Sequence, residues 1–225
     1  MKKTGSTLIV FASLIILAIA SSCKSGNNNM QENSNATSDT VFLFNGNDLS
    51  GLEVYIEDTS YNKDEVWSVR NNLLYTTGMP FGYIRTTDSY DNYDLFVEWR
   101  WVEEPKNSGV LLHMQQPDTL WPATIEAQLM HTNAGDFVAM GGTSFKELTD
   151  TTTIVVPKYE DTSEKEAGQW NTYKISVEDS TITLWVNDVL QNKATETSVT
   201  EGMIGLQSEG GPMEFRNFYL IPKNN

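Results

Sequence analysis

Between residues 41 and 225 no stretch offers three turns of amphipathic helix, whereas apolar side chains recur at every second position in one short segment after another. The clearest is Leu95-Phe96-Val97-Glu98-Trp99-Arg100-Trp101-Val102, which sets Leu95, Val97, Trp99 and Trp101 on one face and Phe96, Glu98, Arg100 and Val102 on the other. The same period of two runs through 173–177 and 182–186, joined by Glu178-Asp179-Ser180-Thr181 as a hairpin, and Asn187-Asp188 then turns the chain into Val189-Leu190. Further strands are expected at 41–44, 66–69, 73–76, 82–86, 109–115, 124–130, 203–207 and 213–221, with turn residues between most of them. Many short strands with no helices between them specify an all-β fold, an antiparallel two-sheet β-sandwich or jelly roll. Residues 132–168, rich in Gly, Thr and charge, are expected to form long loops at one rim.

Ahead of this region the chain has a different character. Lys2 and Lys3 precede the apolar run from Leu8 to Ala20, which is short for a bilayer span and has the form of a signal-peptide core. Small residues, Ala20-Ser21-Ser22, then lead into Cys23, the sole cysteine, as in a bacterial lipobox. Residues 1–22 are therefore expected to be a lipoprotein signal peptide and Cys23 the lipid attachment point. Residues 24–40 hold two apolar side chains, Met30 and Ala36, among Asn, Ser, Thr and Gly, too few to offset the entropy of ordering. With Cys23 they form a disordered tether, 23–40, ahead of the folded domain at 41–225. The expected location is the cell envelope, with the protein held at the membrane by its lipid.

Charge narrows the partners. The net charge is −15, and removal of residues 1–22 with their two lysines takes it to −17. Nucleic acid is excluded as a partner, because its binding depends on Lys and Arg displacing counterions from phosphates. A single cysteine excludes an intrachain disulfide and every multi-cysteine zinc or iron–sulfur site.

Polar residues that alternate with apolar ones along a strand are the candidates for chemistry, since one face of a curved sheet can hold a ligand while the other packs the core. Glu98 and Arg100 share one such face. His113 and Gln115 project opposite to Leu112 and Met114; Glu126 and Gln128 project opposite to Ile125, Ala127 and Leu129. Two polar side chains at successive same-face positions of an apolar strand either face solvent or enter a site. His113 and His131, the two histidines, lie at the end of one expected strand and just past the end of the next. His113 with Glu126 on a neighbouring strand would supply a base and its orienting partner, or two ligands of a divalent metal, although no HExxH-type spacing is present. Trp99, Trp101 and Trp185 alternate with smaller residues and are assigned to the core. Trp121, in a loop between Pro117 and Pro122, is either a sugar-stacking residue or loop packing. There is no GxSxG elbow, Walker-type loop or GxGxxG, and no paired carboxylates at E-x-D-x-x-E spacing.

The order of motifs resembles the 3-keto-disaccharide hydrolase family: Leu43-Phe44-Asn45-Gly46-x-Asp48-Leu49-Ser50-Gly51, Asn107-Ser108-Gly109-Val110, Ile125-Glu126-Ala127-Gln128, Gly168-Gln169-Trp170-Asn171, and the closing Gly202-x-Ile204-Gly205-Leu206-Gln207 with Glu214-Phe215-Arg216-Asn217. The resemblance spans roughly residues 41–222 and implies a concanavalin A-like jelly roll, often on exported lipoproteins. It implies hydrolysis or lysis of glycosides already oxidised to a ketone at C3 by a separate oxidoreductase. Glu126 matches the motif glutamate, taken as the base, and Gln128 the motif glutamine. His113 stands where many members carry arginine. Gln128 and Arg100 would stabilise the enolate, with Glu98, Trp121, His131 and Gln115 contacting substrate. The alternative from another class is a non-catalytic, lectin-like glycan-binding lipoprotein using the same face.

Overall fold

The computed structural model describes residues 40–223, so the signal-like segment, Cys23 and the tether up to residue 39 lie outside the described residues. In chain order the strands are β1 (Val41–Phe42), β2 (Leu52–Ile56), β3 (Trp67–Arg70), β4 (Leu73–Thr76), β5 (Gly82–Thr86), β6 (Tyr93–Trp101), β7 (Gly109–Met114), β8 (Thr124–Gln128), β9 (Phe137–Met140), β10 (Val155–Val156), β11 (Asn171–Glu178), β12 (Thr181–Val186), β13 (Val189–Ala194), β14 (Met203–Ser208) and β15 (Met213–Pro222). A four-residue helix, Lys63–Val66, with Asn62 capping the Asp64 N–H, leads into β3.

Two antiparallel sheets result, ordered β13-β12-β11-β6-β15-β4-β3 with β1 added alongside β15, and β10-β9-β8-β7-β14-β5-β2. This is the all-β jelly-roll sandwich expected from the alternation. Between the sheets lie the inward faces of their strands: Leu95, Val97, Trp99 and Trp101 from β6 pack with Val110 and Leu112 from β7, Ile125 and Ala127 from β8, and Ile204 and Leu206 from β14. Trp67, Trp99 and Trp101 are fully buried, and truncating one to Ala would cost about 3–5 kcal/mol.

Several local expectations change. The segment 132–168 contributes β9 and β10, which build one edge of the second sheet, and β2 builds the opposite edge. Trp185 is not in the core; it lies on the outward face of the first sheet beneath Lys174 Nζ, 5.3 Å from the ring centre. The reason is visible in its strand, where Ile182, Leu184 and Val186 are the buried set and Trp185 falls in the other phase.

The second sheet has apolar residues on both faces. Away from the sandwich core, Tyr83, Leu111, Met114, Val138, Met140 and Met203 form a second buried cluster, flanked by Tyr55, Trp121 and Val155. A face that is apolar although it does not meet the other sheet is the feature that locates the site.

Candidate active site

Three neighbouring strands, β8, β7 and β14, set the register of this outer face. Leu111 is opposite Glu126 on one side and Gly205 on the other, and Gly109 is opposite Gln128. Carried on by one alternation, the register sets Gln207 across from Gly109, while Asn107 bridges to Glu209 beyond the strand ends. A polar row, Gln128, Gly109 and Gln207, is thus followed by the pair Asn107 and Glu209. Gly109 has no side chain, and the Glu126 carboxyl fills that space: a Cβ on Gly109 would lie 2.6 Å from Glu126 Cδ.

Asn107, Glu126, Gln128, Gln207 and Glu209 line one cavity of about 440 Å³, together with Trp121, Val138, Met140, the Gly141-Gly142 turn and Ile154. Glu126 is only 2% exposed, and its Oε1 has no hydrogen-bond partner; Gln207, equally buried, has an unpartnered Oε1 as well. Removal from water pushes the Glu126 carboxyl up to about 8, with the charge of Glu209 adding to the effect. Burial also raises Glu209, opposed by a hydrogen bond from the Asn107 side chain. Gln128 Oε1 accepts from the Leu129 and Met130 backbone N–H groups at 3.0 and 2.9 Å. That fixes its amide, leaving the NH₂ end as the donor for a ligand. Behind the strand, the Tyr173 hydroxyl reaches across from the first sheet to donate to Gln128 O and accept from Gly135 N.

The loop that carries Trp121 is held upright by Asp118. Arg85, nearly buried, donates to Asp118 from Nε and Nη2 at 2.9 and 2.7 Å, and Tyr83 Oη donates to the same carboxylate at 3.0 Å. The Arg85 guanidinium keeps the Asp118 carboxyl below its ordinary range. Trp121 packs obliquely on Phe81 and borders the cavity.

Of the residues singled out from the sequence, Glu126, Gln128 and Trp121 come together here. His113 does not. The pairing of β7 with β14 slips between Met203 and Gly205, so Leu112 and His113 together oppose one residue. This bulge, with His113 at φ 52°, passes the outer-face position to Met114. The imidazole instead stands edge-on to core Tyr93, its Nδ1 3.3 Å from Val199 O and its Nε2 unpartnered. Burial lowers its basicity, so it is a neutral packing residue and no partner of Glu126. Arg100 and Glu98 are on the outward face of the first sheet, a full sandwich away. There Arg100 pairs with Glu214 and Glu98 with Arg216, both arginines lying over Trp170. Alternation had assigned them one shared face correctly, but it does not tell which sheet holds the cleft. Gln115 ties the loop after β7 by donating to His113 O and Glu201 O. His131 is exposed beside Glu164, 3.6 Å away.

Asn107 and Gln207 figured only as motif residues, without a role, and Glu209 not at all, although Gly205, Gln207 and Glu209 alternate with Ile204, Leu206 and Ser208 just as Glu126 and Gln128 do with their neighbours. Among the described residues no group of three or more His, Cys, Asp or Glu side chains is arranged to hold a metal ion. The divalent metal left open above therefore has no ready set of ligands among them.

The family model of the 3-keto-alpha-glucoside-1,2-lyase-like domain matches residues 39–221. No curated protein is significantly similar in sequence. Among solved structures, a glycosyl hydrolase candidate from Parabacteroides distasonis ATCC 8503 is 22% identical, with a TM-score of 0.61 over 82% of this chain and 100% of that one. The Bacillus licheniformis beta-glucanase is 14% identical (TM-score 0.55; 84% and 100% covered), and the carbohydrate binding module CBM66 from Bacillus subtilis is 11% identical (TM-score 0.55; 75% and 93%). At these identities the likeness establishes the fold.

Proposed function

The chain belongs to the 3-keto-alpha-glucoside-1,2-lyase-like domain family, a carbohydrate-active family, and from that premise we propose that it cleaves glycosides bearing a ketone at C3. The ketone acidifies the C2–H bond. Loss of that proton and departure of the C1 substituent give an enone, to which water adds at C1. Such a path needs an acid, a base and donors for the enolate oxygen, and it does not need the two carboxylates of direct glycoside displacement.

The observation that carries this reading is the Glu126 carboxyl, buried in a ligand-sized cavity with an oxygen no protein donor satisfies. A group so placed exchanges a proton near neutral pH, as acid–base catalysis requires. The Gln128 amide, locked by the Leu129 and Met130 backbone N–H groups, offers its NH₂ to the enolate oxygen, the role that Arg100 is too distant to share. Trp121 offers an aromatic wall to a sugar ring. The ketone itself is supplied by a separate oxidoreductase. The segment before the domain supports export and lipid attachment at Cys23, which would hold the enzyme at the cell envelope.

The test is a product assay on a panel of 3-keto-glycosides, with and without chelator. Wild-type protein should release the aglycone, and Glu126→Gln should lower turnover about 10²–10⁴-fold on glycosides with poor leaving groups. Binding without turnover by the wild type would instead assign a lectin-like module.

A further inference from the structure

Glu209 is the second carboxyl group of the cavity. It follows β14 one alternation beyond Gln207, its backbone bridges to Asn107, and the Asn107 side chain hydrogen-bonds its carboxylate. Glu209 is half-buried at the rim, whereas Glu126 lies at the floor over Gly109. Two carboxyls around one cavity do not ionise together easily, and the proton stays on the one whose charge is worse solvated. The floor group lacks any donor at Oε1, so it is the one that is neutral; the rim group has the Asn107 amide and partial access to water, so it bears the charge.

We propose that Glu209 is the base and Glu126 the acid of the elimination, an assignment that rests on the 3-keto-glycoside reading above and reverses the role expected for Glu126 from the family motif. Glu209 removes the C2 proton. The electrons of that C–H bond form the C2=C3 bond of an enolate, whose oxygen faces the Gln128 NH₂; as the C3 carbonyl re-forms, the pair becomes the C1=C2 double bond, the C1–O bond breaks, and the departing oxygen takes the proton of Glu126. In the hydration half, water adds its oxygen to C1 and gives a proton to Glu126, while Glu209 returns its proton to C2. Both carboxyls end as they began, and no oxidant or reductant is consumed.

Deuterium exchange separates the two roles. A methyl 3-keto-glucoside and its p-nitrophenyl counterpart are followed in D₂O by NMR, reading exchange at C2 and cleavage at C1, with thermal melts showing that each variant is folded. Glu209→Gln should lose C2 exchange and cleavage together by about 10²–10⁴-fold on both substrates. Glu126→Gln should keep C2 exchange and lose cleavage of the methyl glycoside, while cleavage of the p-nitrophenyl compound, whose leaving group needs no acid, stays within about 10-fold of wild type. Retained C2 exchange in Glu209→Gln, or its loss in folded Glu126→Gln, overturns the assignment. Wild-type protein that turns over neither compound rejects the 3-keto reading, and the acid–base pair with it.

Discussion

The Glu126 carboxyl sits in the space a side chain at position 109 would occupy, so strand β7 contributes to the site by an omission. The cross-strand partner of Gly109 is Gln128, and the register makes Gln207 its neighbour on the other side. The carboxyl can take that place only because position 109 is glycine.

Gly109→Ala should therefore displace Glu126. Overpacking at such a site costs about 1–3 kcal/mol. We expect a Tm several degrees lower and a turnover loss approaching that of Glu126→Gln. Unaltered kinetics in Gly109→Ala would show that the carboxyl can shift without consequence.

Stability should depend on pH through the same group. The unfolded chain releases the Glu126 proton near 4.5, whereas the folded chain keeps it to about 8. Folding thus takes up a proton across that window: the stability is fully present below about 4.5 and declines as pH rises towards 8. Glu126→Gln removes this penalty. Its Tm should exceed that of wild type at pH 8, and the difference should vanish near pH 4.5 in paired thermal melts.

His113→Gln should leave turnover within a few-fold of wild type, since the imidazole faces Tyr93 and not the cavity. It should lower stability by about 1–3 kcal/mol, the usual range for a buried polar substitution. A large kcat loss at unchanged Tm would return the histidine to the chemistry.

Arg100→Ala is expected to spare kcat and KM. Its ion pair with Glu214 is part-exposed and should contribute no more than about 1 kcal/mol. Loss of activity at normal stability would contradict the placement of the cleft on the other sheet.

For the segment before the domain, Cys23→Ala should move the protein from the membrane fraction to the soluble one without altering its melting curve. Unchanged membrane partition would remove the lipid-anchor proposal.

The sandwich was readable because alternation exposes which side chains are buried together: Val97, Trp99 and Trp101 are core in the sequence pattern and in the structure. Glu126 and Gln128 were readable for the same reason. His113 was not, because a bulge inserts one residue into the period of two, and nothing in Leu111-Leu112-His113-Met114 marks where it falls. Arg100 and Glu98 failed differently: a strand's own pattern states which residues share a face, and only strand order states what that face meets. Glu209 lay one residue past the end of its strand, where alternation is no longer trusted although the geometry continues.

The clamp of Arg85 and Tyr83 on Asp118 bears on how a substrate enters. Since the arginine keeps that carboxylate ionised below the ordinary range, mild acid will not release the wall bearing Trp121. The Trp121 side of the cavity thus keeps its clamp across that range of pH, and a sugar seated there would meet the same indole wall opposite the Glu126 floor in acid as at neutrality.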